Sequence, residues 1–580
     1  MKIYLIMLMY KHGHAKRTVN PNQLMLFTED VRFFGKTQAI LIHNNFIGNG
    51  VKPRAYQERV VLSSIMRDEN GIPVSTLAVL PTSSGKTLIS IMAADQKLAE
   101  GNVIFIAHTS ALVRQQEEQF RLHMNMPNEQ IITVTGDEIN PRERALLYQR
   151  NPKIIIGTSQ VIARDIQNGS LTMSNTSLLI SDESQYSIGR DSHNIVAEKA
   201  KLAHVPILAL TASPGEDYEK ITRVVNNLGI NNIEVYSRDD SDLSKYMPSV
   251  RYIRRNVELP KLFRQIRHRL GELYINALME LDGMEMLNGV VIEKFTNSDI
   301  KEKPFLRYSE LTRIKEGIQE RLPESLNREI GARNNVNISE DELNALHALS
   351  LHSEMNFYYR LSNIFETESL AVGVKYIEST LLSREAKDDK KSEVQVVNSK
   401  SRVFKERIRS NEKFMRMYRY LSGNLETLDE HPKIRLFTDT LESYKDSKFI
   451  VFVELREQAR FLKKIAENNG ISTGLLLGKS NGITGSSQQK AIENFKSGNT
   501  RVLIATKAGQ EGINIPDAYV INYDQVHGIS AIQRNGRTGR ESPGLVINFV
   551  TKDTKDEWAF YKALNGIRTM ESALQMLKRR

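Results

Sequence analysis

The 580-residue chain contains no cysteine and a single tryptophan. Without cysteine it can form no disulfide, no thiolate zinc site and no iron–sulfur cluster. Long apolar runs are also missing. The apolar run at residues 3–10 has no small-residue cleavage site after it, and it is too short for a membrane-spanning helix, which needs ~20 apolar residues. We therefore predict a cytoplasmic protein that does not contact a membrane.

The remaining composition is that of a globular protein, with 40% hydrophobic and 26% charged residues. The length is enough for several domains, about three at ordinary domain sizes. The net charge is +10 at pH 7. A positive balance suits a polyanionic partner but does not identify one.

Short apolar runs that end in small or polar residues occur in two parts of the chain. Such runs indicate strands buried on both faces of a parallel sheet that helices cover. The section between them has helical periodicity and little strand pattern. We predict an α/β fold with parallel-sheet domains at residues 51–256 and 431–580, an all-helical domain at residues 257–430, and an N-terminal extension at residues 1–50.

The stretch LPTSSGKT, residues 80–87, follows a predicted strand and precedes a predicted helix. In that setting backbone N–H groups surround phosphates at a helix N-terminus. Lys86 is predicted to reach the β- and γ-phosphates of a nucleotide, and the Thr87 hydroxyl to hold one Mg²⁺ position. The general motif starts with glycine where this chain has Leu80, and a serine-rich turn is the alternative. The predicted phosphate-binding residues are Thr82, Ser83, Ser84, Gly85, Lys86 and Thr87.

Two acids, Asp182 and Glu183, end another apolar run of the first α/β part. Acids at a strand end of the same module face the same sheet edge as the phosphate loop. We predict that Asp182 holds Mg²⁺ through water and that Glu183 orients and activates the attacking water. Capping of the following helix is the alternative role.

Five motifs stand in the order of the superfamily 2 helicase motifs: PTSSGKT, DESQ, LTASPG, VLIATKAGQEGINIP and QRNGRTGR. The stretches RAYQ, VELPKLFRQIRHRLGELY and HPKIRLFTDTLE resemble the helicase part of the Hef and Fanconi anaemia M-type branched-DNA translocases. The similarity implies two RecA-like motor domains around a thumb-like helical insertion. RIG-I-like RNA sensors share this plan and are the nearest group that could be confused with it.

The resemblance also implies roles by position. The residues matching the adenine-contacting element are Arg54, Tyr56 and Gln57. Thr211 and Ser213 match the element that couples hydrolysis to domain movement, with Gln185 contacting across the cleft. Residues that match the nucleotide-sensing loop are Gly509, Glu511 and Gly512. In the final motif Gln533 faces the attacking water, while Arg537 and Arg540 stabilise the transferring phosphoryl group.

The chain departs from the family pattern at several of these positions. Ser83 stands where glycine is usual, Ser184 replaces alanine, Gln185 replaces histidine, and Asn535 replaces a frequent arginine. Glutamine keeps the hydrogen-bonding capacity of histidine but cannot become cationic. Every group needed for hydrolysis is present, so we predict a working ATPase that uses ATP and Mg²⁺.

Residues after other predicted strands could contact the phosphates of one nucleic-acid strand, independently of sequence. They are His108, Thr109, Arg114, Gly136, Thr158, Gln160 and Thr506. In the helical insertion, Arg264 and Arg267 belong to a basic cluster that either recognises duplex or branched DNA or forms a solvated helix face. As loop and cap residues, each of the others also has a structural alternative.

The peptide QLMLF, residues 23–27, resembles the peptide by which bacterial DNA enzymes bind the sliding clamp. Leu24, Leu26 and Phe27 would fill an apolar pocket while Gln23 hydrogen-bonds its rim. A short buried strand is the alternative.

The leading hypothesis is an ATP-dependent translocase acting on forked or branched DNA in replication or repair, with cutting left to a separate nuclease partner. The alternatives are a duplex-RNA-stimulated ATPase of the RIG-I-like type and a clamp-tethered DNA-binding module with weak ATPase activity.

Overall fold

The computed structural model describes two short N-terminal strands, β1 (Val31–Phe34) and β2 (Gln38–Leu41), which pair antiparallel. Beyond them the described residues are 53–189, 191–215, 217–287, 305–306, 308–320, 340–382, 395–478, 485–506, 517–526, 528–540 and 542–578. The predicted clamp peptide at residues 23–27 and the predicted loop residues Gly509, Glu511 and Gly512 lie outside these ranges. None of the described helices is long and apolar enough to cross a membrane.

The first α/β domain is built on a seven-stranded parallel sheet in the order β5-β6-β4-β7-β8-β3-β9. Its strands are β3 (Thr76–Val79), β4 (Asn102–Ala107), β5 (Ile131–Val134), β6 (Ile154–Thr158), β7 (Thr176–Ser181), β8 (Ile207–Thr211) and β9 (Asn232–Val235). The central strands are buried on both faces, as their continuous apolar runs predict.

Helices alternate with these strands and cover both faces of the sheet, which separates two apolar cores. They are α1 (Ala55–Ile65), α2 (Lys86–Lys97), α3 (Ser110–His123), α4 (Pro141–Gln149), α5 (Ser159–Gln167), α6 (Ser192–Leu202) and α7 (Tyr218–Leu228). Local signals set several of their starts. Asn140 caps α4 with Pro141 as its first residue, and Asp217 caps α7.

The second α/β domain has a six-stranded parallel sheet in the order β10-β15-β14-β11-β13-β12. Its strands are β10 (Val250–Val257), β11 (Phe449–Phe452), β12 (Thr473–Leu476), β13 (Val502–Ala505), β14 (Tyr519–Asn522) and β15 (Gly544–Thr551). The two parallel-sheet domains confirm the predicted α/β architecture.

Between the two domains the described residues from 261 to 423 form helices and no strand. These helices are α8 (Lys261–Gly283), α9 (Tyr308–Glu320), α10 (Glu340–Thr367), α11 (Leu370–Ile377), α12 (Gln395–Ser410) and α13 (Glu412–Gly423). They share one apolar core around Tyr274, Tyr358 and Phe414. The helical insertion predicted between the motor domains is therefore present.

Two elements cross the predicted domain boundaries. The boundary after residue 256 assigns β10 to the first domain, but β10 pairs along its whole length with β15 of the second sheet. That assignment is corrected, because parallel hydrogen bonding to a distant strand decides sheet membership and no local pattern announces it. The C-terminal helix, α18 (Lys555–Lys578), leaves the second sheet and buries Met570, Ala573 and Leu574 in a core of the first domain.

The remaining helices flank the second sheet. They are α14 (Pro432–Ser443), α15 (Arg456–Asn468), α16 (Gly485–Ser497) and α17 (Ile529–Asn535).

Candidate functional site

The predicted phosphate loop connects the end of β3 to the first residue of α2, which is Lys86. The Lys86 ammonium donates hydrogen bonds to the loop's own carbonyls, at 3.1 Å to Leu80 O and 3.2 Å to Pro81 O. Burial lowers the pKa of Lys86, and the neighbouring charges of Glu183 and Asp182 partly offset that shift. The ammonium thus lies across the loop next to both acids, where phosphate oxygens could replace the two carbonyls.

Two of the predicted adenine-contacting residues form hydrogen bonds with this loop. The Tyr56 hydroxyl and the Gln57 amide both donate to Ser84 O. Arg54 donates to the Tyr56 hydroxyl at 3.2 Å and lies 4.6 Å from the centre of the Tyr246 ring. The structure therefore brings Tyr56 and Gln57 into contact with the loop, while Arg54 contacts these two residues and Tyr246, which sequence analysis missed.

Two residues of the loop, Ser83 and Gly85, have positive φ angles. Gly85 has φ +82°, and a Cβ there would lie 2.3 Å from the Gln57 side-chain amide nitrogen. Ser83, where the family usually has glycine, has φ 67°, in the left-handed region that L-residues enter at a cost of about 1–2 kcal/mol. The departure at Ser83 therefore places a strained residue in the phosphate loop.

Replacing Ser83 with glycine is expected to stabilise the ligand-free protein, because the strain at φ 67° disappears. The gain should stay below about 1 kcal/mol, since glycine also loses more backbone entropy on folding. Ser83→Val, with a β-branched side chain at the same φ, should lower the melting temperature instead. Thermal unfolding of the two variants beside the wild type tests this order, and equal melting temperatures would contradict it.

The two predicted acids follow β7 directly. Asp182 is buried, and its backbone N–H donates to Ile106 O at 3.0 Å, which fixes it at the sheet edge. Burial, reinforced by the nearby charge of Glu183, raises the pKa of Asp182 to about 7, while Lys86 opposes the rise. Glu183 has left-handed backbone angles, φ 51° and ψ 49°. The like charge of Glu183 beside the buried Asp182 carboxylate favours binding of a cation there.

The Asp182 carboxylate and the Thr87 hydroxyl are hard oxygen donors, which suit Mg²⁺. The described residues contain no group of three or more His, Cys, Asp or Glu side chains that could hold a metal ion. Mg²⁺ usually takes one or two protein ligands and fills its shell with water and substrate phosphates. The donors present therefore fit an ion that arrives with a nucleotide.

A chain of side-chain hydrogen bonds joins Glu183 to the predicted coupling element. The Gln185 amide donates to Glu183 Oε2 at 2.6 Å and accepts from the Thr211 hydroxyl at 2.6 Å. The Thr211 hydroxyl in turn accepts from the backbone N–H of Ser213 at 2.9 Å. Gln185 therefore bridges Glu183 and the residues after β8, which requires both a donor and an acceptor. The Ser213 hydroxyl also contacts Met570 Sδ of α18 at 3.2 Å, a contact that no sequence signal announced.

The final motif of the second domain faces the phosphate loop across the cleft between the domains. A Cβ built on Gly536 would lie 2.2 Å from the Thr82 hydroxyl, so the two domains touch at this point. The charge of Arg540 acts on the pKa of Lys86, and its side chain donates to Gly536 O at 3.1 Å. Gln533 and Arg537 are buried nearby on the same motif. The amide oxygen of Gln533 has no hydrogen-bond partner among the described residues.

The predicted nucleic-acid residues of the first domain lie at the carboxyl ends of three adjacent strands. His108 and Thr109 follow β4, Gly136 follows β5, and Thr158 and Gln160 stand at the end of β6 and the start of α5. Gln160 is exposed, whereas Thr158 is buried. Thr109 caps α3 through its hydroxyl. Their common edge is suitable for one continuous strand path.

Other predicted contacts are already engaged within the protein. Arg114 pairs with Glu138 at 2.6 Å, although both side chains remain about half exposed. Arg267 donates to Asp553 O of the second domain at 3.0 Å and lies 3.9 Å from Glu366. Arg264 is exposed on α8, and Thr506 is buried at the end of β13. Arg267 is thus better placed to join the helical and second domains than to contact nucleic acid.

Family comparison agrees with this geometry. Residues 54–221 match the DEAD/DEAH box helicase family, and residues 432–542 match the helicase conserved C-terminal domain. The chain is 30% identical over 537 residues to a Methanocaldococcus jannaschii protein named provisionally as an ATP-dependent RNA helicase, covering 90% of this chain and 62% of that protein. It is 27% identical over 550 residues to the ATP-dependent DNA helicase fml1 of Schizosaccharomyces pombe, covering 89% and 59%.

The fold is similar to the solved helicase domain of Hef from Pyrococcus furiosus, with a TM-score of 0.58 and 29% identity. That match covers 88% of this chain and 98% of the Hef domain. The chain spans about three fifths of the length of the two curated relatives above, at 62% and 59%. The predicted resemblance is confirmed: the chain contains a DEAD/DEAH box helicase domain and a helicase conserved C-terminal domain, and over most of its length it is similar to the Hef helicase domain.

Proposed function

We propose that the protein is an ATP- and Mg²⁺-dependent translocase that acts on forked or branched DNA in replication or repair. The observation that carries this proposal is the cleft in which Lys86, the two acids after β7 and the final-motif residues around Gly536 lie together. Each domain supplies part of this set, so hydrolysis depends on how the two domains meet.

Within the proposal each group has one task. Lys86 binds the β- and γ-phosphates, and Asp182 with Thr87 would hold Mg²⁺, which would neutralise charge on the phosphates. Glu183 takes a proton from the attacking water, which Gln533 helps to orient. Arg537 and Arg540 stabilise the charge on the transferring phosphoryl group. Closing and opening of the cleft would then move the two domains along a strand.

The choice of DNA rests on similarity. The Schizosaccharomyces pombe relative is named a DNA helicase, and the fold is similar to the Hef helicase domain. The Methanocaldococcus jannaschii relative is named as an RNA helicase, which keeps duplex RNA as the second candidate substrate. The four-part domain division, with β10 assigned to the second domain, also remains part of the proposal. So do a separate nuclease partner and clamp binding through residues 23–27.

Steady-state ATP hydrolysis with forked DNA, single-stranded DNA, duplex DNA and duplex RNA tests the substrate, at equal nucleotide and salt concentrations. Forked DNA is expected to stimulate hydrolysis most. Because phosphate contacts are salt-dependent, the four arms must share one ionic strength. Stimulation mainly by duplex RNA would move the protein to the RNA-dependent group, and no stimulation by any arm would overturn the proposal. Clamp binding through residues 23–27 would then be the function left to test.

A further inference from the structure

Two aromatic rings join the strand-end surface of the first domain to the turn that follows its proposed general base, Glu183. The His108 and Tyr186 rings are stacked, with centroids 4.0 Å apart and planes 8° from parallel. His108 follows β4, where nucleic acid is proposed to bind, and Tyr186 follows β7 three residues after Glu183. Because β4 and β7 are neighbours in the sheet, the stack spans the gap between the two strand ends.

The stack has a buried support that reaches a third strand end. His193 of α6 meets His108 edge-on at 6.1 Å, and it is 1% exposed. Burial lowers the pKa of His193 to about 4, so its ring is neutral at physiological pH. The neighbouring Ser192 hydroxyl lies 2.7 Å from that of Ser159, at the end of β6. The ends of β6, β4 and β7 are therefore linked through these side chains.

Tyr186 is connected to Glu183 by a short turn. Its backbone N–H donates to Glu183 O at 3.2 Å, and residues 184–186 form one turn of 3-10 helix. Within that turn Gln185 holds the Glu183 carboxylate and the Thr211 hydroxyl. A shift of the Tyr186 ring therefore moves the turn that orients the catalytic carboxylate.

We propose that Tyr186 is a positioning residue that transmits nucleic-acid binding at the ends of β4 and β6 to the Glu183 carboxylate. A strand backbone bound beside Thr109 and Gln160 fixes the His108 ring, and the stacked Tyr186 ring fixes the turn. Glu183 then spends more time oriented toward the attacking water, and hydrolysis speeds up. This inference rests on the proposed function, since it explains how nucleic acid stimulates that same site.

The test compares Tyr186→Leu with Tyr186→Phe, which keeps the ring and loses only the hydroxyl. Tyr186→Leu is expected to lower the maximal DNA-stimulated rate at least fivefold, in the range that the energy of one aromatic pair represents. The KM for ATP and the half-saturating DNA concentration should stay within about twofold, because neither ligand touches the lost ring. Tyr186→Phe keeps the stacked ring and should retain most of the wild-type maximal rate, whereas Tyr186→Leu loses the aromatic pair and should also melt slightly lower.

Other results would overturn the inference. An unchanged maximal rate in Tyr186→Leu would show that the stack transmits nothing. A higher half-saturating DNA concentration at an unchanged maximal rate would make Tyr186 a binding residue, and an equal loss with and without DNA would make it a purely structural one. His108→Leu combined with Tyr186→Leu should lose no more than the more affected single variant, and multiplying losses would also contradict a shared contact. A wild type that no nucleic acid stimulates would instead defeat the proposed function itself.

Discussion

Replacing Glu183 with glutamine is expected to lower the DNA-stimulated rate of ATP hydrolysis by about 10²–10⁴-fold, the usual contribution of a positioned general base. Glutamine has nearly the same shape, and its carbonyl oxygen can still accept the 2.6 Å hydrogen bond from the Gln185 amide. The link to Thr211 should therefore survive, while the proton acceptor for the attacking water is lost.

The Glu183→Gln variant should still bind ATP with Mg²⁺, and at low pH it should bind them more tightly than the wild type does. The charge of Glu183 is one of the causes that raise the pKa of Asp182 to about 7, after burial. In the wild type, protons therefore compete with Mg²⁺ for Asp182 as the pH falls through about 7. An uncharged glutamine removes part of that shift, so the variant should hold Mg²⁺–ATP to a lower pH.

Equilibrium binding of a fluorescent ATP analogue and steady-state hydrolysis, each from pH 5.5 to 8.5, measure the two effects separately. Asp182→Asn is the matched control, because it removes the proposed Mg²⁺ ligand and should lose both binding and hydrolysis. A Glu183→Gln protein that hydrolyses ATP within tenfold of the wild-type rate would assign the general base elsewhere.

The site that these variants address was predictable from sequence because its parts are local. A phosphate loop needs only a strand, a turn and a helix in succession, and Lys86 and Thr87 hold fixed places within it. The acids after β7 are equally local. The conformation of the loop was not predictable: the φ of 67° at Ser83 becomes visible only in the folded backbone.

Contacts between distant segments were the part that sequence analysis missed. The strand β10 mixes polar and apolar residues and is exposed or half-buried along its length, but nothing in that pattern names β15 as its partner. Met570 lies in an ordinary helical stretch, and its contact with Ser213 depends on where α18 crosses the first domain. Such contacts follow from topology rather than from periodicity.

Lys433 is a further residue of this kind. In the sequence it looks like one basic residue on an amphipathic helix, yet in the structure it is fully buried. Its ammonium pairs with Asp556, lies 3.8 Å from Asp524 and donates to Tyr523 O at 2.7 Å. Glu368, from the helical domain, is also buried there, and neither of its carboxylate oxygens has a hydrogen-bond partner among the described residues. The cluster joins the helical domain to the second α/β domain.

Replacing Lys433 with methionine is expected to lower the free energy of unfolding at pH 8 by about 3–5 kcal/mol, because it removes the cation that pairs with the buried Asp556 and Asp524, while the charge of Lys555 still acts on Asp524. The free energy of unfolding of the second domain in urea measures this loss. Arg419→Met is the matched control: it breaks an exposed pair with Glu412 and should change stability by less than about 1 kcal/mol. Equal effects of the two substitutions would mean that Lys433 is not needed to balance the buried acids.

The pH dependence of this loss has a defined sign. Burial raises the pKa of Asp524 to about 6, against the lowering effect of Lys433, and burial raises the pKa of Glu366 to about 7. Acids with a raised native pKa favour folding at low pH, and that contribution is lost as the pH rises through about 6 to 7. Without Lys433 the pKa of Asp524 should rise further, so at pH 5.5 protonation removes much of the uncompensated charge. The destabilisation caused by Lys433→Met should therefore be smaller at pH 5.5 than at pH 8, and a loss that is equal at both would point to altered packing rather than charge.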